Sequence, residues 1–215
     1  MLSVAALLST FAHSYVIILN GVTSSGKTSV ARAIAKLSPQ PTLMFGIDQI
    51  TETIEPSQQT NFYRFTAPKT GEVAVTCWHP TPLGKHLYNK TLPSVVCAFA
   101  TDNIFNIVVD EIFLPEEHER LRSYAQQLSG LTVYFVGLAC ALEELEQREH
   151  LRGDRPTGHA QTQYKRVHAW QSFYDPQIDS GTNSPDECAQ KILAFIERTP
   201  HPDGFTQCRT QLSKN

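Results

Sequence analysis

One stretch limits the fold more than any other. The apolar run Val16-Ile17-Ile18-Leu19 leads into Asn20-Gly21-Val22-Thr23-Ser24-Ser25-Gly26-Lys27-Thr28, and residues 27–37 then read KTSVARAIAKL. The run has no polar alternation, as a strand covered on both faces requires. Val30, Ile34 and Leu37 share one helical face, and Ser38-Pro39 ends the segment. A strand, a small-residue loop and a helix in that order open a right-handed βαβ unit, so a parallel sheet is expected.

The pattern repeats. Thr42 to Ile47, Asn106 to Val109 and Thr132 to Leu138 are further apolar runs, and Glu116 to Leu128 and Ala141 to Leu151 are amphipathic. Ser184-Pro185-Asp186-Glu187 is a capping box with proline at the first helical position, opening a last helix through Arg198. The expectation is a single α/β domain with a core over 15–198, about five parallel strands and helices on both faces. Sites in such sheets lie at the carboxyl ends of the strands.

Residues 51–100 break this rhythm with Pro56, Pro68, Gly71, Pro80, Pro82, Gly84 and Pro93. They read as an insertion with short helices near 57–65 and 84–100. The tail 199–215 shows no periodicity and is expected to be loosely ordered. The leader 1–14 is apolar like a secretory h-region, but it lacks a basic start and runs straight into a strand. A cytoplasmic protein is the expectation.

Composition excludes more than it assigns. Lys and Arg number 18 against 21 Asp and Glu, a net charge of −3. No strong field favours nucleic acid or an anionic membrane, so any bound anion must be held locally. No apolar stretch reaches the ~18 residues of a membrane span. Five scattered cysteines form no CxxC pair and the eight histidines no HExxH, so reduced thiols and no zinc site are expected.

The loop fits G-x-x-x-x-G-K-[ST] in its required setting of strand, loop and helix. Successive amides of Gly21, Val22, Thr23, Ser24, Ser25, Gly26, Lys27, Thr28 and Ser29 can surround phosphate oxygens at the start of the helix. Lys27 would reach the β- and γ-phosphates of ATP, and the Thr28 hydroxyl would meet Mg²⁺. Val108-Val109-Asp110-Glu111 ends a strand in two acids, with Asp110 the better candidate to hold Mg²⁺ through water and Glu111 second. Asp48 closes Phe45-Gly46-Ile47-Asp48 on the same rim. It could take the proton of an acceptor hydroxyl, cap the segment that begins at Gln49, or do both. Arg148, Arg152 and Arg155 surround a helix end in REHLRGDRPTG, where guanidinium forks could meet a transferring phosphoryl group; Arg152 and Arg155 rank first. The aromatics and histidines of 161–174, including Tyr164, His168, Trp170, Phe173 and Tyr174, read as helix packing, with adenine stacking by one of them as the alternative.

Five segments together resemble the chloramphenicol phosphotransferase-like family of P-loop kinases: VIILNGVTSSGKTS at 16–29, LMFGID at 43–48, NIVVDEIFL at 106–114, REHLRGDRPTGHA at 148–160 and YDPQIDSGTNSPDECA at 174–189. The resemblance implies a P-loop kinase-type fold like shikimate and nucleotide kinases, with a lid over 148–160. It also implies ATP with Mg²⁺, and phosphoryl transfer to a small-molecule hydroxyl such as the primary alcohol of chloramphenicol or a similar antibiotic. Asp48 matches the family's general base, Lys27 and Thr28 its phosphate loop, and Arg152 and Arg155 its lid motif. Two other readings use the same loop: a nucleotide or nucleoside kinase, and an ATP-hydrolysing switch that moves a segment for a partner.

Overall fold

The structure, a computed structural model, describes residues 14–66, 77–152 and 158–214. Five parallel strands form the central sheet: β1 (Val16–Gly21), β2 (Thr42–Gly46), β5 (Asn106–Glu111), β6 (Val133–Ala139) and β7 (Gln177–Asp179), in the order β2-β5-β1-β6-β7. A separate antiparallel hairpin pairs β3 (Tyr63–Thr66) with β4 (Cys77–Pro80).

Strand alternation divides the core into two layers. Ile17, Leu19, Val108, Tyr134 and Val136 face α1 (Lys27–Leu37) and α8 (Pro185–Arg198), which pack on each other. Ile18, Ile107, Val109 and Phe135 face α4 (Leu92–Thr101), α5 (His118–Gln127) and α9 (Gly204–Leu212). Every residue of β1 is buried, as a central strand covered by helices on both sides must be.

A third, smaller cluster lies at the carboxyl end of the sheet. There Val22 of the loop packs with Leu145 of α6 (Leu142–Arg152) and with Ala160 and Val167 of α7 (His159–Val167).

The expected strands and helices are present, and three features differ from the sequence reading. The second strand stops at Gly46, and Asp48 lies in the first turn of α2 (Ile47–Glu52). The insertion holds the hairpin as well as helical pieces: a 3₁₀ turn at Pro56–Asn61, α3 (Pro82–His86), a π turn at Leu87–Thr91, and α4. The tail is helical where loose order was expected. Phe205, Cys208 and Leu212 fall at i, i+3 and i+7, and α9 buries all three against β6 and α5. That short stripe was overlooked because His201-Pro202-Asp203-Gly204 interrupts the sequence just before it. Residues 1–13 of the leader lie outside the described residues. Among the described residues no helix is long and apolar enough to cross a membrane.

Candidate active site

The loop turns from β1 into α1 through Gly26, whose φ of 85° is a left-handed conformation that glycine adopts without a Cβ penalty. α1 therefore opens with a turn of amides that no side chain caps, the natural seat of an anion. Lys27 is buried and folds back over the loop. Its Nζ donates to the carbonyls of Gly21 at 3.0 Å and Val22 at 3.1 Å, and lies 4.0 Å from Asp110 Oδ1. The Thr28 hydroxyl donates to Asp110 Oδ2 at 2.5 Å. Loop lysine, loop hydroxyl and strand-end carboxylate thus form one cluster.

Alternation separates the two strand-end acids. Asp110 shares the parity of Val108 and faces α1, while Glu111 shares that of Val109 and faces α5. There Glu111 is fully enclosed, 3.1 Å from Arg120 Nε, and accepts from the Tyr124 hydroxyl at 3.3 Å. Arg120 also donates to the Ile112 carbonyl and stacks over the Phe113 ring. Burial pushes the Glu111 carboxyl up to about 7 against the opposing pull of Arg120. Its place is in a buried ion pair under the strand, which corrects its ranking as a second metal candidate.

Asp48 is exposed on the carboxyl rim of β2, next to β5, whose Asp110 is in register with Gly46. Gly46 permits that closeness: a Cβ there would sit 2.6 Å from the Asp110 carbonyl.

Arg148 lies beside the loop. Its guanidinium donates to Glu144 Oε1 and to the Ser180 carbonyl, both at 2.9 Å, and Nη1 lies 3.9 Å from the position of a Cβ on Gly26. Arg152 is exposed at the end of α6, and Arg155 lies outside the described residues.

Three residues that sequence reasoning passed over build the surroundings. Asn20, buried just before the loop, donates to the Val167 carbonyl at 3.1 Å and the Tyr174 hydroxyl at 2.8 Å, and accepts from the Phe113 amide at 2.9 Å. Its signal was legible: a polar side chain ending an all-apolar run requires buried partners. Glu149 is buried in α6 and accepts from the Gly158 and Ala160 amides, at 2.7 and 3.1 Å, at the start of α7. Gln163 of α7 accepts from the Thr23 amide at 2.9 Å. Neither of those contacts leaves a trace in sequence spacing.

Tyr174 and His168 pack together behind the loop, with the His168 ring nitrogen 3.2 Å from the Tyr174 hydroxyl. Burial and, after it, the Lys27 ammonium lower the His168 pKa. The pair forms a wall, in line with the packing role expected for it.

The donor set suits a magnesium–nucleotide pair. Thr28 and Asp110 offer hard oxygens, and no described cluster of three or more His, Cys, Asp or Glu forms a protein-only metal cage. Mg²⁺ characteristically completes its shell with phosphate oxygens and water.

Comparison with known proteins agrees with this architecture. The chain is 27% identical over 203 residues to "putative O-phosphotransferase" of Mycobacterium tuberculosis, in two strains, covering 90% of this chain and 87% of the relative. Its fold matches the tunicamycin resistance protein of Deinococcus radiodurans with a TM-score of 0.59 and 18% identity, covering 86% of this chain and 96% of that one. It also matches shikimate kinase from Acinetobacter baumannii, solved with shikimate, with a TM-score of 0.54 and 16% identity over 90% of this chain and 98% of that one. The family model for chloramphenicol phosphotransferase-like proteins matches residues 14–197, and the chain belongs to that family.

Proposed function

We propose that the protein transfers the γ-phosphoryl group of ATP to a hydroxyl of a small molecule in the cytoplasm. Family and fold make the chain a phosphotransferase. The observation that carries the finer reading is the shared rim: Lys27, Thr28 and Asp110 in one cluster, with the exposed Asp48 carboxylate at the end of the neighbouring strand.

The triphosphate lies along the loop amides, with Lys27 at the β- and γ-phosphates. Asp48 accepts the proton as the acceptor oxygen attacks phosphorus. The new O–P bond forms while the bond from the γ-phosphorus to the β,γ-bridging oxygen breaks, and ADP leaves with that electron pair. Arg148, together with Arg152 and Arg155 of the lid segment, balances charge on the transferring group. Thr28 and, through water, Asp110 would hold Mg²⁺, which would neutralise phosphate charge when bound. The insertion between β2 and β5 borders Asp48 and selects the acceptor, with chloramphenicol or a similar antibiotic alcohol first among the candidates.

The test is mass spectrometry of an alcohol panel that includes chloramphenicol, nucleosides and sugars, incubated with enzyme, ATP and Mg²⁺. The expected result is addition of one phosphoryl group. Asp48→Asn is expected to bind nucleotide normally yet transfer at least about 100-fold more slowly. Undiminished transfer in that variant removes Asp48 from the mechanism. A nucleoside phosphorylated faster than any antibiotic alcohol reassigns the acceptor, and ATP hydrolysis that appears only with a protein partner overturns the proposal.

A further inference from the structure

The amide of Thr23 and the side chain of Gln163, 140 positions apart, share a 2.9 Å hydrogen bond. The peptide that supplies this N–H joins Val22 to Thr23. Its carbonyl belongs to Val22 and accepts from Lys27 Nζ at 3.1 Å. A trans peptide is a rigid plane whose C=O and N–H point in opposite directions. One plate in the phosphate loop is therefore held along one edge by the lysine ammonium and the Ser25 amide, and along the other by α7. Tilting it moves both.

α7 is itself fastened to the core at each end. Glu149 receives the Gly158 and Ala160 amides where the helix starts, and Asn20 donates to the Val167 carbonyl where it stops. Beneath the helix, Ala160 and Val167 are fully buried in one cluster with Val22. Gln163 thus projects from a seated helix, and Thr23 is 5% exposed, so water has little access to that amide.

We infer that Gln163 is a positioning residue for phosphoryl transfer: its carboxamide oxygen sets the Val22–Thr23 peptide and, through that peptide, the Lys27 ammonium. Seating of α7 and readiness of the phosphate loop are then a single event. The catalytic consequence rests on the phosphotransferase reading, whereas the coupling between helix and loop does not.

The experiment compares full-length wild type, Gln163→Ala and Gln163→Glu by backbone hydrogen exchange without ligand, and by ADP release from ATP–Mg²⁺ with no acceptor added. In Gln163→Ala the segments 21–28 and 159–167 are expected to exchange faster together. The kcat for ADP release is expected to fall about three- to tenfold, the worth of one hydrogen bond, with KM for ATP changed less. Gln163→Glu keeps an oxygen acceptor and is expected to restore slow exchange in both segments. A glutamine that only stabilises the fold would lower the melting temperature and leave kcat of the folded enzyme alone, which overturns the proposal. So does unchanged exchange of 21–28 in Gln163→Ala. If the wild type phosphorylates no acceptor, the proposed function fails while the exchange comparison still decides the coupling.

Discussion

The Thr28 hydroxyl donates directly to the Asp110 carboxylate at 2.5 Å, closing the gap between loop and strand end. With Asp110 reaching Mg²⁺ through water, this contact would aim the Thr28 oxygen at the cation. Asp110→Asn keeps the shape and removes the charge. The Mg²⁺ concentration for half-maximal ADP release is expected to rise about 10- to 100-fold, the usual effect of removing a group that orients a metal's ligands. A Mg²⁺ titration of wild type and variant checks it.

Gly46→Ala is expected to disturb the same carboxylate from the other side. The added Cβ would meet the Asp110 carbonyl at 2.6 Å and the Asp110 Cβ at 3.3 Å, so β2 or β5 must shift. Overpacking of this kind costs about 1–3 kcal/mol. Urea unfolding measures the loss, and the Mg²⁺ requirement should rise with it.

Glu149 bears on the start of α7. Glu149→Ala leaves two inward-facing amides without an acceptor, a penalty of about 1–3 kcal/mol, whereas Glu149→Gln retains one oxygen and should cost less. Faster hydrogen exchange and easier proteolysis around 158–162 in the alanine variant are the expected signs.

Glu111 predicts a dependence on pH. Burial raises its carboxyl from an ordinary 4.5 to about 7 in the folded chain. Between those values the folded chain binds more protons than the unfolded one, so this group's stabilising contribution is full at low pH and is lost as pH rises through about 7. The slope cannot exceed about 1.4 kcal/mol per pH unit. Melting curves between pH 4.5 and 8 should show a steeper decline for wild type than for Glu111→Gln.

Phe205 tests the C-terminal helix. It is 5% exposed and packs edge-on against Phe135 of β6. Phe205→Ala is expected to cost about 3–5 kcal/mol, as for other core phenylalanines, and thermal unfolding would show it.

What could be read from the sequence follows the range of the interaction behind it. The phosphate loop is a local constraint: glycine at a left-handed turn, a lysine and a hydroxyl at the start of a helix, all within Gly21 to Thr28. The strands of the main sheet before β7 were legible because burial on both faces demands uninterrupted apolar runs, and the Ser184 cap because it closes within four residues. The separation of Asp110 from Glu111 needed only strand alternation, but which face carried α1 awaited the fold. Gln163 on Thr23, Glu149 under Gly158 and Arg148 on Ser180 join distant segments or cross a helix start. No periodicity encodes them. β3 and β4 were missed because they form a hairpin outside the main sheet in a proline-broken segment.

The order β2-β5-β1-β6-β7 also governs how the protein can be made. β1 pairs with β5 and β6 alone, with Val16 opposite Ile107 on one side and Val133 on the other. A nascent chain that has reached residue 105 contains β1 and β2 but neither of the strands that flank β1. The most buried strand of the molecule therefore waits through the synthesis of the whole insertion with both edges open, the condition under which apolar strands aggregate. Ribosome-bound chains halted before residue 106 should bind chaperones, and those halted beyond residue 139, with β6 free of the exit tunnel, should release them.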